Sequence, residues 1–457
     1  MRLLYLAVAC ASVAQAQKTP DTPAKLPDMY NLSLVPTRPT VVAGPAAGAM
    51  PFVKDPKTGK YMRATPAMAP VDSTQPDTND ANTYYQAGLA SVNADPAGAA
   101  AAFYWASRIN PAWAEPYFGR WFALTQAAEQ TEILKKQDKK KNKDMVLVPD
   151  SILKHLDSLV ILADIHDPFF DEKIALEAAS ANNHGELALY NSLRNKEINE
   201  YNDSVMKEGD VPILGVHNIK MQHSWAQSYE DRHFDSASAD LAKLIKKHPD
   251  AFQLYIYRAK AQYYLKQYDS TVATLTAAVG QIEKRDTTKV LPVYISREML
   301  TYMIAMADAQ AHRDTAAKAT FQLVVTQNLG FHMAHLHLAS QALDKRDTAT
   351  AINEAQIAAQ IRPDDPVVQL FLGYALMNAG HMPDGIEHLR QATTVDPYYS
   401  LPYYYLGQGL EQTGNDTAAL NAYRGYLAHA ARREGLRQSA SDAIAMLSIP
   451  KQPAATH

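Results

Sequence analysis

The chain has one cysteine in 457 residues, Cys10, and it lies inside the first apolar stretch. If that stretch is removed, no thiol remains, which excludes disulfides, cysteine nucleophiles and cysteine-ligated zinc. Positive charge is not in excess either. The formal net charge is −4, which argues against nucleic acid as a partner, because that role takes a strongly basic surface. After the N-terminus no run approaches the roughly 18 apolar residues of a membrane-crossing helix. Catalytic signatures are missing as well: there is no glycine-rich phosphate loop, no G-x-S-x-G and no H-E-x-x-H, and His184-Gly185-Glu186 lacks the second histidine. The chain is therefore read as non-enzymatic, with no catalytic, cofactor-binding or metal-ligating residue. His332, His335 and His337 come nearest to a metal set. The sequence places no acidic or cysteine partner beside them, so they are read as packing or surface histidines.

Residues 1–16 read as a signal peptide. Arg2 supplies the positive end, Leu3 to Val13 the apolar stretch, and Ala14-Gln15-Ala16 a small-x-small cleavage site. Export to the periplasm or cell envelope is the expectation. Lipidation of Cys10 is the lesser alternative, since Ala7 stands where such signals prefer leucine. Residues 17–80, with VPTRPT, PAAGAMPF and ATPAMAPVDSTQPDT, read as a Pro-rich disordered tether. The lysine run from Lys135 to Lys143, interrupted by Asp138 and followed by Asp144, reads as a solvated helix end or loop.

The C-terminal third repeats. Pro363 and Pro397 are 34 residues apart, and segments 332–365, 366–399 and 400–433 share one pattern. Small residues recur at Ala339, Gly373 and Gly407, and again at Ala351, Gly385 and Ala419. Traced backwards, the phase covers 298–331 with Ala305, Ala317 and Phe321, then a unit from Phe252 with Tyr255, Ala259 and Leu275, then 218–251. An insertion falls near Gln281 to Pro292. One early unit lies at 80–113, with Ala87, Ala99, Phe103 and Ala106 in register. Between 114 and 217 the period is lost. The predicted organisation is 81–217 as an N-terminal helical region of divergent hairpins, 218–433 as a repeat array, and 434–449 as a capping helix with Leu436, Ala440, Ile444 and Leu447 on one face.

A unit of this length holds two helices of about 13 residues and two short turns. The small residues mark where the helices cross, and Phe103, Phe321, Leu389 and Tyr423 fill the space beside them. Asp235-Ser236, Asp269-Ser270, Asp314-Thr315, Asp347-Thr348 and Asp416-Thr417 fall before the second helix of each hairpin and are predicted to cap it.

In VVQLFLGYALMNAGHMPDGIEHLRQATTVDP and LPYYYLGQGLEQTGNDTAALNAYRGYL, the residues Leu372-Gly373, Leu376, Gly385, Leu389, Ala392 and Pro397, then Leu406-Gly407, Leu410, Ala419 and Tyr423, resemble the tetratricopeptide repeat (TPR) family. The resemblance covers 218–280 and 298–433 and is weaker at 80–113. It implies an all-α fold, a right-handed superhelical α-solenoid whose concave groove is lined by the first helix of each hairpin. Groove places in this register would be Tyr229 and Glu230; Ile256, Lys260, Tyr263 and Tyr264; Tyr302 and Met306; Leu336 and Ser340; Leu370, Tyr374 and Asn378; and Tyr404, Gln408 and Glu411. From these, Tyr263, Tyr264, Tyr302, Tyr374, Asn378, Tyr404 and Gln408 are taken as the peptide-binding residues, because tyrosine offers large contact area with a polar tip. No Lys/Asn set recurs that would clamp a carboxylate tail. The implied function is an exported scaffold that binds a protein or peptide partner and needs no cofactor. The alternative is a cell-envelope binder of a small ligand or glycan on the same frame.

Overall fold

The computed structural model describes Arg38 and residues 52–54, 61–63, 76–92, 94–124, 127, 158–159, 162–170, 228, 232–247, 249, 252–283 and 296–449. The signal peptide, the lysine run, most of the 114–217 region and the bulk of the insertion near 281–292 lie outside them.

Local sequence sets the helices. A hairpin of α1 (Ala81–Ser91) and α2 (Pro96–Ile109) opens the array, and helical residues 114–124 follow it. After α3 (Phe234–Lys247) come five hairpins: α4 (Phe252–Tyr264) with α5 (Tyr268–Glu283), α6 (Arg297–Gln310) with α7 (Asp314–Gln327), α8 (His332–Asp344) with α9 (Thr348–Ile361), α10 (Pro366–Asn378) with α11 (Met382–Val395), and α12 (Leu401–Gln412) with α13 (Asp416–His429). The chain's last described helix, α14 (Arg437–Leu447), packs on α13 with Ala440 buried and Leu436, Ile444 and Leu447 against the same cluster. This covers the apolar surface at the end of α13.

The period is written in the backbone. One residue with positive φ stands in the turn before the second helix of each unit from α3 on: Arg232, Lys266, His312, Arg346, Gly380 and Gly414. They are 34 residues apart except for Lys266 and His312, which are 46 apart because the insertion lies between them. The residue after each one donates its N–H to a carbonyl five places back, for example His381 to Leu376 and Asn415 to Leu410, both at 2.9 Å. That bond closes a Schellman-type end, which satisfies an otherwise orphaned helix carbonyl.

The hairpins pack as the small residues require. Ala305, Ala317, Ala339, Ala351 and Ala419 are fully buried at the crossings, and Phe321 and Leu389 are fully buried beside them. In the first hairpin the close approach is at Gly88, one residue from the predicted Ala87: a Cβ there would stand 2.8 Å from the Phe103 ring. The capping prediction holds in one of its five places. Asp347 accepts the Thr350 N–H at 3.1 Å, whereas Asp235, Asp269, Asp314 and Asp416 lie inside the first turn of their helices. There they act on the helix dipole rather than as caps. Asn415, unforeseen, caps α13.

Two features depart from a plain open array. Within the segment read as a tether, β1 (Phe52–Lys54) and β2 (Tyr61–Arg63) pair antiparallel, with Phe52 opposite Arg63. Strands of three residues leave no readable alternation, so nothing in the sequence announced them. In addition, the first hairpin packs on the turns of the last two. Arg108 pairs with Asp396 at 2.7 Å, Arg433 with Asp80 at 2.8 Å, and the Trp105 and Tyr398 rings meet edge-on at 4.7 Å. The Asn79 side chain donates to the Ala428 carbonyl, and the Arg432 N–H to Asp77. Burial lifts the Asp80 and Asp396 carboxyls above the usual range, with the facing arginine opposing the rise in each case.

Candidate functional site

Neighbouring first helices of the hairpins share core clusters or touch directly. Tyr255, Ile256 and Ala259 of α4 share a cluster with Leu300, Met303 and Ala307 of α6. Tyr302 and Ala305 of α6 share another with Ala334 and Leu338 of α8. Helix α10 touches both α8 and α12 directly. The predicted peptide-binding residues lie on these first helices, and they divide into two groups.

The first group is already engaged with this chain's own residues 162–170. Helical residues 162–166 lead into a turn, Asp167-Pro168-Phe169-Phe170, in which the Asp167 carboxylate accepts the Phe169 N–H at 3.0 Å. That bond is an Asx turn, and it presents the following carbonyls outward. Tyr264 Oη donates to the Phe169 carbonyl and Lys260 Nζ to the Phe170 carbonyl, both at 2.7 Å. Tyr263 stacks on the Phe169 ring at 3.7 Å with the planes 3° apart. Tyr302 Oη lies 3.3 Å from the Ile165 carbonyl and 3.1 Å from His337 Nε2. A neutral His337 carrying its proton on Nε2 donates to Tyr302, which donates onward. Burial, and after it the charge of Asp167, raises the Tyr263 and Tyr302 hydroxyls well above the usual phenol range, so both remain donors.

The second group is not so engaged. Tyr374 is 37% exposed and meets Tyr405 edge-on at 5.1 Å. Asn378 is exposed, with its amide turned to the Tyr374 carbonyl of its own helix, and Gln408 is half-buried beside the Tyr404 hydroxyl.

Two predicted contact residues need correction. Tyr302 has no exposed surface, being enclosed by Phe321, Phe331 and His337, so its hydroxyl alone serves the site. Tyr404 is buried against Tyr423 and Tyr426 and belongs to the core. Tyr405, one residue on, is the half-exposed ring that the register missed. Glu411 accepts from Tyr423 Oη at 2.7 Å and is committed to its own hairpin. Tyr229 and Glu230 lie outside the described residues.

The histidines are packed, as expected. His335 Nδ1 pairs with Glu354 at 2.7 Å, His337 stacks on Phe321 at 4.8 Å, and His332 Nε2 lies 4.0 Å from Asp365. Burial pushes His332 and His337 down to about 4, so both are neutral near pH 7. Among the described residues, no three His, Cys, Asp or Glu side chains gather as a metal site.

Paired helices with a left-handed residue in the turn of every hairpin from α4 on, small residues at the crossings and first helices that share core clusters decide the architecture. The fold is a TPR-type α-solenoid. No family model matches the chain, and no curated protein matches it. Solved structures do. YrrB, described as a TPR protein with an unusual peptide-binding site, is 15% identical and covers 44% of this chain and 97% of its own, with a TM-score of 0.36. The C-terminal part of a TPR repeat-containing protein from Cytophaga hutchinsonii is 16% identical, covers 51% and 97%, and has a TM-score of 0.37. MamA from Desulfovibrio magneticus RS-1 is 17% identical, covers 38% and 93%, and has a TM-score of 0.34. Hairpin geometry, rather than these overlaps, fixes the fold. No described helix of this solenoid is long and apolar enough to cross a membrane.

The sequence offered Lys260, Tyr263, Tyr264 and Tyr302 as groove residues but not the turn that sits against all four. The one available signal was Pro168-Phe169-Phe170, an apolar pair between aspartates in the stretch without a period.

Proposed function

We propose that the protein is a scaffold that binds a protein or peptide on the concave, first-helix face of its solenoid, with no catalytic step. The observation that supports this most is that the face already grips polypeptide: side chains of α4 and α6 bond three main-chain carbonyls of residues 165–170. The same face continues to Tyr374, Tyr405 and Asn378, where aromatic rings stand partly exposed. Exposed tyrosines on a rigid frame give contact area at small entropic cost.

The test is a photo-reactive residue placed at 374 or 378, with one at Gln360, exposed on a second helix, as the control. Protein adducts at the first two positions and none at the third are expected in a cell-envelope extract. Equal labelling at all three would overturn the assignment.

The proposal includes export, on the strength of residues 1–16. Sequencing of the mature N-terminus should begin at Gln17; a chain starting at Met1 in the envelope fraction would refute that, and a lipidated Cys10 would mean anchoring instead.

A further inference from the structure

We infer that the seat holding residues 165–170 accepts, from a partner, a polypeptide turn with two adjacent aromatic side chains, and that this chain's Phe169-Phe170 turn is the resident stand-in. The inference rests on the concave-face reading above and names the chemistry of its partner.

The seat is built by the array. Lys260, Tyr263 and Tyr264 come from α4 and Tyr302 from α6, 90 or more residues along the chain from the carbonyls they meet. All three bonds go to main-chain oxygens, which every peptide presents. What selects the occupant is the ring stacked flat on Tyr263. Next to it, Phe170 enters a cluster with Phe118 and Leu159, so a second aromatic has its own place. Lys260 is buried, and among the described residues no carboxylate pairs with it. A buried ammonium without an acceptor is strongly disfavoured, so the seat needs a carbonyl at that point from some chain. The Asx turn after Asp167 supplies two carbonyls and two rings within a short span, and a partner segment Asp-Pro-aromatic-aromatic reproduces it.

A tethered occupant competes at an effective concentration of about a millimolar, which masks the seat from a free peptide. Weakening the resident turn should therefore unmask it. The probe is a fluorescent, amide-capped peptide of residues 162–171, read by anisotropy against the full chain. Phe169→Leu, which removes the stack and keeps most of the volume, is expected to bind it about ten- to a hundred-fold tighter than the unaltered chain. A peptide with both phenylalanines replaced by alanine should not bind, and Lys260→Met in the Phe169→Leu background should reduce binding. A folded Phe169→Leu chain that ignores the peptide, binds the alanine peptide equally or only self-associates overturns the inference. If Phe169→Leu loses its helical signal, the unaltered chain decides: a peptide with benzophenone in place of the first phenylalanine, at millimolar concentration, should label α4, and labelling elsewhere or none overturns the proposal. Failure of the peptide leaves adducts at 374 and 378 intact, whereas loss of those adducts with the peptide still seated overturns the broader reading alone.

Discussion

Gly373→Ala should destabilise the solenoid even though alanine is the better helix former. Gly373 on α10 and Gly385 on α11 face each other where the two helices cross. A Cβ on Gly373 would stand 2.9 Å from the Gly385 carbonyl oxygen and 2.8 Å from Leu389 Cγ, and a Cβ on Gly385 would stand 2.8 Å from the Gly373 oxygen. A backbone oxygen cannot rotate away, so the helices must separate around Leu389 and Ala392, both fully buried. Helix propensity favours alanine by about 1 kcal/mol, while overpacking a tight core costs about 1–3 kcal/mol. The net expectation is a loss of up to about 2 kcal/mol. Gly280, inside α5, is the internal control: a Cβ there meets nothing within 4 Å. Gly280→Ala should therefore stabilise by about 0.5–1 kcal/mol. Gly407 is intermediate, because a Cβ there meets the buried Tyr423 ring rather than a backbone oxygen. Urea unfolding followed by far-UV circular dichroism, compared by midpoint and slope, reads all three. Equal stabilisation by Gly373→Ala and Gly280→Ala would refute the close-crossing argument.

Arg346 holds φ at 58° in the same turn place that Gly380 and Gly414 fill. Arg346→Gly should raise stability by about 1 kcal/mol, since an L-residue in the left-handed region is disfavoured by that order; an unchanged or lower urea midpoint would contradict this. The pH dependence follows from His337, which burial holds at about 4, below the roughly 6.5 of an unfolded chain. The unfolded chain binds more protons between those values, so the stability contributed is complete above about pH 6.5 and is lost as the pH falls toward 4. From pH 7.5 to 5.5 the loss is about 1 kcal/mol for this group. His332, beside Asp365 and His166, acts in the same direction. His337→Gln should flatten the stability–pH curve over that interval, and an unchanged slope would show that His337 titrates normally.

Part of the site was legible because it is periodic. Lys260, Tyr263 and Tyr264 could be numbered from Gly373 and Gly407, since the register carries over 34-residue steps once the insertion near 281–292 is allowed for. Tyr404 and Tyr405 show the limit. Adjacent helical positions are about 100° apart, so a small rotation of α12 decides which ring enters the core. The left-handed turns were hidden for another reason: four of six use Arg, Lys or His rather than glycine, so composition gave no signal.

The amino-acid sequence alone determined the hairpin, its length, most of its crossing points and the helix that covers the end of α13. These depend on residues within a few dozen positions of one another, where helix periodicity and side-chain size act directly. Only the tertiary structure decided which of the predicted contact residues are already engaged within the chain. The bonds from Lys260, Tyr264 and Tyr302 to the 165–170 turn span 90, 95 and 137 residues, and the first hairpin reaches the last across about 350. Such contacts are made by whichever surfaces the coiling of the array brings together, and a chain read locally carries no period for them.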